Sequence, residues 1–465
     1  MSEKISRRQL LRSSAATGVG LLAAGSGLPA FAQEQELDLP VGAAGKLTVI
    51  HRTEYFEQAQ TLFRETVGNF ASANGAELDI STTNPESYGD FMGKMQAAVT
   101  AGSPPDIAYT TNVSIAQMNL LGLVEDVTDV VDEAVSRYGN IMTGINAEKN
   151  GRFNGRWMAV PFLANSTGYF MRGDKLREHG IDPASLDTYE KRREASLAMS
   201  DPNNEFWGWG LTVNQSGDGY GNVIGIIQAF GGHYTDESGL IVQFNSPETV
   251  AAVEWIAETY NRNGPFAAML PPGVESWGDI SNNEAFLAGN VAYTHNAYSV
   301  YAQSKRDGVS FFNDIVLMPA PRANNGDHRD NGVVGGWLTI FKGAPNVDLA
   351  KQLALALLDP ANFNRMSEVA GGLFNPAYEN LWTEELLSTD PNFRIIKEQV
   401  SVPDPFIGPS WPADPSAAID AIRAQGVVEQ MCGNVLAGRM SASEAVADAH
   451  QKIVDIFEEG GIMQP

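Results

Sequence analysis

Short apolar runs alternate with helically spaced apolar residues in the part of the chain that follows residue 45. Residues 46–50 form a β-branched run that is typical of a strand. Apolar residues then recur at helical spacing over 56–70, and Asn-Gly follows at 74–75. A second strand around 78–80, a second helix over 91–99 and a third strand at 106–109 follow in turn. This order predicts a parallel α/β layout with right-handed crossovers.

The second half of the chain repeats these signals. Ser246-Pro247 places a capping residue and a proline before an apolar stripe that ends near Tyr260, which predicts a helix. Apolar runs at 315–318 and 338–341 predict strands, and a helix is expected over 349–358. Residues 402–415 contain five prolines, which predicts an ordered loop.

Composition places this chain among globular proteins. Its 465 residues are 43% hydrophobic and 19% charged, and the length favours two to three domains. The net charge of −25 argues against nucleic acid or an anionic membrane surface as a partner. The single cysteine, Cys432, excludes an internal disulfide and a cysteine-based zinc or iron–sulfur site.

The first 32 residues have the layout of a secretory signal. A basic start at 6–12 contains Arg7-Arg8, an apolar Gly- and Ala-rich stretch follows over 15–28, and Ala30-Phe31-Ala32 supplies small residues for cleavage. The paired arginines resemble a twin-arginine signal, and an ordinary basic start is the alternative. The expected location of the mature chain is the periplasm, with the signal peptide removed near Ala32.

Motifs for nucleotide, metal or serine-hydrolase chemistry are missing from the mature sequence. There is no phosphate-binding G-x-x-x-x-G-K-[ST], no G-x-S-x-G and no H-E-x-x-H. None of the six histidines is spaced as a ligand pair on one helix face, so neither a metal nor a cofactor is expected. The polar stretch 327–330 predicts a solvated loop.

Several short motifs, in order along the chain, resemble the family 1 extracellular solute-binding proteins, the maltose-binding-like receptors of ABC importers. Each motif is weak alone, and their common order over most of 46–460 carries the resemblance. The segments are Ala101-Gly102-Ser103-Pro104-Pro105-Asp106-Ile107, Leu121-Gly122-Leu123-Val124-Glu125-Asp126-Val127-Thr128, Gly155-Arg156-Trp157-Met158-Ala159-Val160-Pro161, Phe286-Leu287-Ala288-Gly289-Asn290-Val291-Ala292 and Gly335-Gly336-Trp337.

The resemblance implies an α/β, two-lobed periplasmic binding protein fold (type II, maltose-binding-like) with hinge strands and a central ligand cleft. The expected N-terminal lobe comprises 33–168 plus 315–343, and the C-terminal lobe 169–314 plus 344–465. The implied function is to capture a carbohydrate or polyol between hinged lobes and deliver it to the permease of an ABC transporter. We therefore expect a monomeric binding protein, not an enzyme.

Polar side chains after the first and third strands are the first candidate ligand contacts, because loops after strand C-termini line the crevice of open α/β sheets. Glu54 has the chemistry to accept hydrogen bonds from hydroxyl groups, and Tyr55 offers a ring for stacking; helix capping is the alternative for Glu54. Thr111 and Asn112 suit hydroxyl recognition, with turn formation as the alternative.

Aromatic and amide side chains in later loops complete the candidate site. Trp337 follows Gly336, whose lack of a side chain lets the backbone approach a ligand, and its indole suits a pyranose face; a core tryptophan is the alternative. The resemblance adds Asn296 and Tyr298, which match a ligand-facing segment of the family. The remaining candidates are Trp277, Asn375 and Trp411, and for Trp411 packing beneath the proline-rich loop is the alternative.

Two other functions remain open on the sequence. An exported glycoside hydrolase would need two carboxylates about 5–10 Å apart, and no motif pairs two of them. The same receptor fold with a phosphorylated or acidic polyol would need converging cations, for which Arg52, Arg172 and Arg365 are available.

Overall fold

The computed structural model describes residues 40–83, 88–110, 113–166, 168–329, 332–390, 392–403 and 406–465. The strands in this part of the chain are β1 Lys46–Arg52, β2 Glu77–Thr83, β3 Ile107–Thr110, β4 Arg152–Phe153, β5 Arg156–Trp157, β6 Val160–Ser166, β7 Gly168–Arg172, β8 Trp207–Trp209, β9 Val291–Asn296, β10 Ile315–Met318, β11 Gly332–Ile340 and β12 Asn375–Pro376.

The α-helices assigned over the same residues are α1 Glu57–Ala73, α2 Tyr88–Ala101, α3 Ile115–Leu120, α4 Thr128–Tyr138, α5 Ala147–Gly151, α6 Gly173–Glu178, α7 Tyr189–Met199, α8 Gly217–Ala229, α9 Pro247–Thr259, α10 Ser281–Leu287, α11 Ser299–Arg306, α12 Val347–Leu358, α13 Pro360–Ala370, α14 Glu384–Thr389, α15 Asn392–Gln399, α16 Ala417–Ala424, α17 Val427–Leu436 and α18 Ala442–Glu459.

The first sheet has the strand order β12-β6-β11-β3-β1-β2. Strand β1 pairs in parallel with β2 and with β3, which confirms the parallel start predicted from the alternating pattern. Strand β11 enters between β3 and β6 and is antiparallel to both. Helix α1 buries Phe63 and Val67 in the core of this sheet, because these apolar residues share one face at a spacing of four.

The second sheet has the order β10-β7-β9-β8. Strand β7 is antiparallel to both β10 and β9, and β8 runs parallel to β9. Helix α9 covers this sheet with the apolar stripe expected from its sequence, and Ser246 caps it by accepting a hydrogen bond from the backbone N–H of Thr249 at 3.1 Å.

Two buried clusters define two lobes. The first cluster contains β1, β3 and β6 residues together with Leu353, Phe363 and Ile396 from α12, α13 and α15. The second contains β7 and β9 residues together with Ile422 and Ile453 from α16 and α18. The α/β two-lobed architecture expected from the resemblance is therefore the one observed.

Three segments of the chain connect the two lobes. The first lies between Ser166 and Gly168, where β6 of the first sheet leads to β7 of the second. The second runs from β10 to β11. The third runs from α15, in the first cluster, to α16, in the second. Segments that connect two lobes in this way are where a hinge movement is absorbed.

The lobe boundaries expected from the sequence need correction in two places. Residues 315–318 were expected in the N-terminal lobe, but β10 pairs with β7 in the second sheet. Residues 344–400 were expected in the C-terminal lobe, but α12, α13 and α15 bury their apolar faces in the first cluster. An apolar run identifies a strand or helix, whereas its partner is decided by contacts with residues far away in the sequence.

The N-terminal 1–32 segment lies outside the described residues. Within the described part of the chain, none of the helices combines the length and apolarity needed to cross a membrane. Cys432 is buried in the second lobe and is a free thiol.

Candidate functional site

The C-terminal ends of β1 and β3 bring Glu54 to one edge of the first sheet. The two strands are neighbours, with His51 opposite Tyr109, so the loops that follow them share that edge. The Glu54 side chain is only 4% exposed, and its Oε2 lies 3.4 Å from Nε of Arg52. Its other oxygen, Oε1, is buried and has no hydrogen-bond partner among the described residues. A buried carboxylate oxygen without a donor is costly unless something else supplies one.

Two hydroxyl groups at the same edge are also buried without partners in the described structure: those of Tyr109 and Thr110. Burial raises the pKa of Tyr109, and the negative charge of Glu54 raises that pKa further. Burial likewise raises the pKa of Glu54, while the Arg52 charge and the neighbouring Tyr109 hydroxyl act in the opposite direction. The Glu54 carboxylate and the Tyr109 hydroxyl are therefore neighbours at this edge, and Thr110 adds a second buried hydroxyl.

Tyr55 is the exposed aromatic residue of the same loop. It is 45% exposed, and its ring packs edge-on against Phe56 with 4.9 Å between ring centroids. Burial raises the pKa of its hydroxyl, and the charge of Asp307, just after α11, adds to that rise. The Tyr55 ring is thus partly accessible, close to the C-terminal end of α11. Thr111 and Asn112 lie outside the described residues.

Asn296, at the end of β9, is 4% exposed, and its amide is already engaged. Its Nδ2 donates to Oδ2 of Asp218 at 2.6 Å and to Oδ1 of Asn282 at 3.1 Å. The Asp279 carboxylate accepts hydrogen bonds from the backbone N–H groups of Gly217 and Asp218, at the start of α8. Burial, together with the Asp279 charge, raises the pKa of Asp218 well above its usual value. This network fixes the start of α8, and it leaves Asn296 committed to protein contacts.

Two further sequence candidates, Tyr298 and Asn375, are also held by the protein itself. The Tyr298 hydroxyl donates to Oε1 of Gln399 at 2.7 Å, and its side chain is 1% exposed. Asn375 is fully buried, and its Nδ2 donates to the carbonyl of Gly372 at 2.6 Å, while its Oδ1 has no partner within the described residues. Both side chains are therefore engaged in contacts within the protein in this conformation.

The environment of Trp337 favours the alternative of a core tryptophan. Trp337 lies in β11, opposite Thr110 of β3, and is only 5% exposed. A Cβ added at Gly151 would lie 2.5 Å from the Trp337 indole, which shows that backbone covers the ring there. At Gly336, an added Cβ would lie 2.7 Å from Cε2 of Tyr109, so this glycine makes room for a core ring instead of a ligand.

Trp277 and Trp411 are partly exposed. Trp277 packs against both buried clusters and so lies where the two lobes meet. Trp411 has neighbours on several sides: the His233 ring at 5.9 Å, the Phe406 ring at 5.9 Å and the Arg329 guanidinium, whose carbon lies 4.5 Å from the ring centroid. Of the predicted aromatic residues, these two and Tyr55 keep surface that a ligand can contact.

Residues 65–394, more than half of the chain, match the family model of the bacterial extracellular solute-binding proteins. The chain belongs to this family. Part of it is also similar to the maltotriose-binding protein of Pyrococcus abyssi, at 24% identity over 170 residues. That match covers 36% of this chain and 34% of the relative, so the chain spans about a third of the length of that curated protein.

Two solved structures share the fold of this solute-binding protein. A solute-binding protein from Thermotoga lettingae, bound to α-D-tagatose, aligns with a TM-score of 0.72 at 16% identity over 89% of this chain and all of its own. One from Agrobacterium radiobacter, in complex with ribitol, aligns with a TM-score of 0.68 at 16% identity over 89% of this chain and 98% of its own. At these identities the likeness establishes the fold.

Arg329 and Phe406 are site candidates that sequence reasoning missed in this solute-binding protein. The stretch 327–330 was expected to be solvated, but the Arg329 side chain is only 10% exposed. Its guanidinium carbon lies 4.9 Å from the Phe406 ring centroid. The sequence signal, an arginine in a polar loop, has no periodicity, and the rings that cover it follow some 80 residues later. No group of three or more metal-ligating side chains occurs within the described ranges.

Proposed function

We propose that this protein is the substrate-binding component of an ABC transporter, and that it captures a carbohydrate or polyol between its two lobes for delivery to the membrane permease. The observation that carries the proposal is the buried polar set at one sheet edge, in which the Tyr109 hydroxyl neighbours the Glu54 carboxylate and the Thr110 hydroxyl has no partner among the described residues. A carboxylate accepts hydrogen bonds, whereas hydroxyls both donate and accept. A ligand rich in hydroxyl groups suits a carboxylate and a hydroxyl at such an edge.

The aromatic residues support the same ligand class. Tyr55, Trp277 and Trp411 keep accessible surface near the lobe boundary, and flat rings suit the apolar face of a sugar ring. Maltotriose, tagatose and ribitol, which the names of the similar proteins report, are all hydroxyl-rich and uncharged. The role in an importer is inferred from the family together with this site.

Closure of the lobes is the expected mechanism. Hydrogen bonds between the third crossing segment and the first lobe, such as Asn146 Nδ2 to the Phe406 carbonyl at 3.3 Å, link the two halves. A ligand held on both sides is removed from water, which strengthens its polar contacts. The transporter then distinguishes loaded from empty protein by the relative position of the lobes.

The proposal includes export to the periplasm. Residues 1–32 carry the basic, apolar and small-residue regions of a signal peptide, and Arg7-Arg8 supports the twin-arginine route, which exports folded proteins. Fusion of residues 1–32 to a reporter that is active only when exported tests this, with Arg7→Lys plus Arg8→Lys as the variant expected to block export.

A binding experiment tests the function directly. The purified protein is titrated calorimetrically with a panel of sugars and polyols, and its radius of gyration is measured by X-ray scattering with and without the best ligand. We expect a saturable ligand and a smaller radius in its presence. The variant Glu54→Gln should weaken binding by about tenfold, since a charged acceptor is lost; Glu133→Gln, an exposed change on α4, is the control.

The same assay separates binding from hydrolysis. A binding protein returns each glycoside unchanged after prolonged incubation. Release of sugar from any glycoside in the panel, abolished by Glu54→Gln, would instead support the hydrolase alternative, with Glu54 as its raised-pKa acid. Absence of any ligand in the panel, with no change in the radius of gyration, would overturn the proposed function.

A further inference from the structure

The second and third crossing segments meet at Arg329. Arg329 precedes β11 in the second crossing, and Phe406 and Trp411 belong to the third. Asn146 of the first lobe donates to the Phe406 carbonyl, and the His233 ring of the second lobe contacts Trp411. Arg329 therefore lies at the boundary between the lobes, in contact with chain that leads to each.

The Arg329 guanidinium is held in a fixed plane by two aromatic rings. Its carbon is 4.5 Å from the Trp411 centroid and 4.9 Å from the Phe406 centroid, and the two rings are 5.9 Å apart. Arginine stacks on aromatic faces in this way while the edge of its planar fork remains available for hydrogen bonds. The rings thus orient the cation without using up its donors.

The donors of Arg329 are poorly satisfied. Nε is buried and has no hydrogen-bond partner among the described residues. The Nη1 group donates to the neighbouring His328 carbonyl at 3.3 Å. The Asp327 carboxylate lies 3.8 Å from the guanidinium, beyond hydrogen-bonding distance, and is 57% exposed. An arginine whose side chain is only 10% exposed normally has a close, hydrogen-bonded counter-charge, and the described residues supply none to Arg329.

Burial also lowers the pKa of Arg329, while the Asp327 charge only partly opposes this effect. Even so, the guanidinium remains charged at neutral pH because its ordinary pKa is so high. A cation in this position is stabilised by an anion that reaches its free edge.

We propose that Arg329, stacked on Phe406 and Trp411, binds a carboxylate of the ligand, so that the cargo is a sugar acid and not a neutral sugar. The inference deepens the proposed function and rests on it. The hydroxyl groups of such a ligand suit Glu54, Tyr109 and Thr110, and its carboxylate suits the planar fork of an arginine, which matches a carboxylate with two parallel hydrogen bonds.

Matched pairs of probes test the charge preference on the wild-type protein. The pairs are D-glucose with D-glucuronate, D-galactose with D-galacturonate, and D-glucitol with D-gluconate, and glucose 6-phosphate is the phosphate probe. We expect the acid of at least one pair to bind at least tenfold more tightly than its neutral partner at pH 7, and the preference to shrink as salt concentration rises.

Variants assign the preference to Arg329. Arg329→Gln should remove it, and Arg329→Lys should restore part of it, since lysine keeps the charge without the fork. Arg394→Gln is the matched control, because Arg394 is 54% exposed and lies 2.8 Å from Glu384 on the first lobe. Circular dichroism checks the fold of each variant; if Arg329→Gln does not fold, the wild-type pairs and Arg329→Lys decide.

The possible results are distinguishable. Equal or tighter binding of the neutral partner, or an acid preference that survives in Arg329→Gln, overturns the inference and leaves the proposed function standing. Preference for glucose 6-phosphate over every carboxylate overturns the assignment of a carboxylate. If none of the probes binds and no neutral sugar of the wider panel binds either, both the inference and the proposed function fail.

Discussion

An aromatic residue that follows two glycines can either contact a ligand or pack in the core, and Trp337 allows these two roles to be tested. Its indole is 5% exposed in β11 and lies against Gly151, so we expect Trp337 to stabilise the folded first lobe. Truncation by Trp337→Ala removes the whole indole ring from a packed core. Such changes cost about 3–5 kcal/mol, from lost burial together with the cavity that remains.

The size of the effect follows from the geometry. A tryptophan buries roughly 150–250 Å², and at about 25 cal/mol per Å² this area gives about 4–6 kcal/mol as an upper figure. Gly151→Ala tests the same contact from the other side, because its new Cβ would lie 2.5 Å from the indole carbon Cη2. We expect it to destabilise the first lobe as well, by about 1–3 kcal/mol, as overpacking does.

The assay is urea unfolding followed by circular dichroism, with ligand titration of each folded variant. Trp382→Ala is the matched comparison, since Trp382 is a buried tryptophan of the same cluster, 4% exposed, and donates to the Pro376 carbonyl at 2.9 Å. Trp337→Ala and Trp382→Ala should lower the urea midpoint alike. If Trp337→Ala kept the wild-type midpoint and weakened ligand binding tenfold, the indole would face the ligand and the packing argument would be refuted.

Two further predictions concern pH and lobe contact. Burial raises the pKa of Glu429 from 4.5 to about 7, so its contribution to stability is fully present below pH 4.5 and is lost as pH rises through 7. Glu429→Gln should abolish this loss, worth up to about 3 kcal/mol, and raise the melting temperature at pH 8; an unchanged pH profile would contradict it. Ser114 caps α3 and also hydrogen-bonds to the buried Asp420 of α16, so Ser114→Ala should enlarge the ligand-free radius of gyration. Ser246→Ala is the control: it removes a cap and a contact with Thr249 within α9, and it should leave this radius unchanged.

The order of strands and helices was predictable because it depends on local patterns. The alternation over 46–110 predicted three parallel strands with two helices between them, and all five elements are present. The pairing of β10 was not predictable, since its short apolar run suits either sheet. Its place beside β7 depends on contacts with residues more than 140 positions earlier.

The candidate site was predictable where it depends on the rule for strand ends. Glu54 follows β1 and is buried at the edge that the rule indicates. The prediction of a ligand contact at Gly336 and Trp337 is not supported by their environment. A glycine next to a tryptophan indicates a close approach by another group, but it does not identify that group as a ligand. In the structure the approaching group is Tyr109 at one residue and Gly151 at the other.

The proposed role of Arg329 would connect ligand binding with the segments that cross between the lobes. Arg329 follows β10, Trp411 follows α15, and their contact is where the second and third crossings touch among the described residues. A group bound to the Arg329 edge therefore contacts both crossings at once. Its binding free energy depends on how the crossings are placed, so binding shifts the equilibrium between lobe positions directly, without a relay through either core. A neutral ligand that contacts only the Glu54 edge lacks this coupling. It has to close the lobes through its contacts with residues other than Arg329.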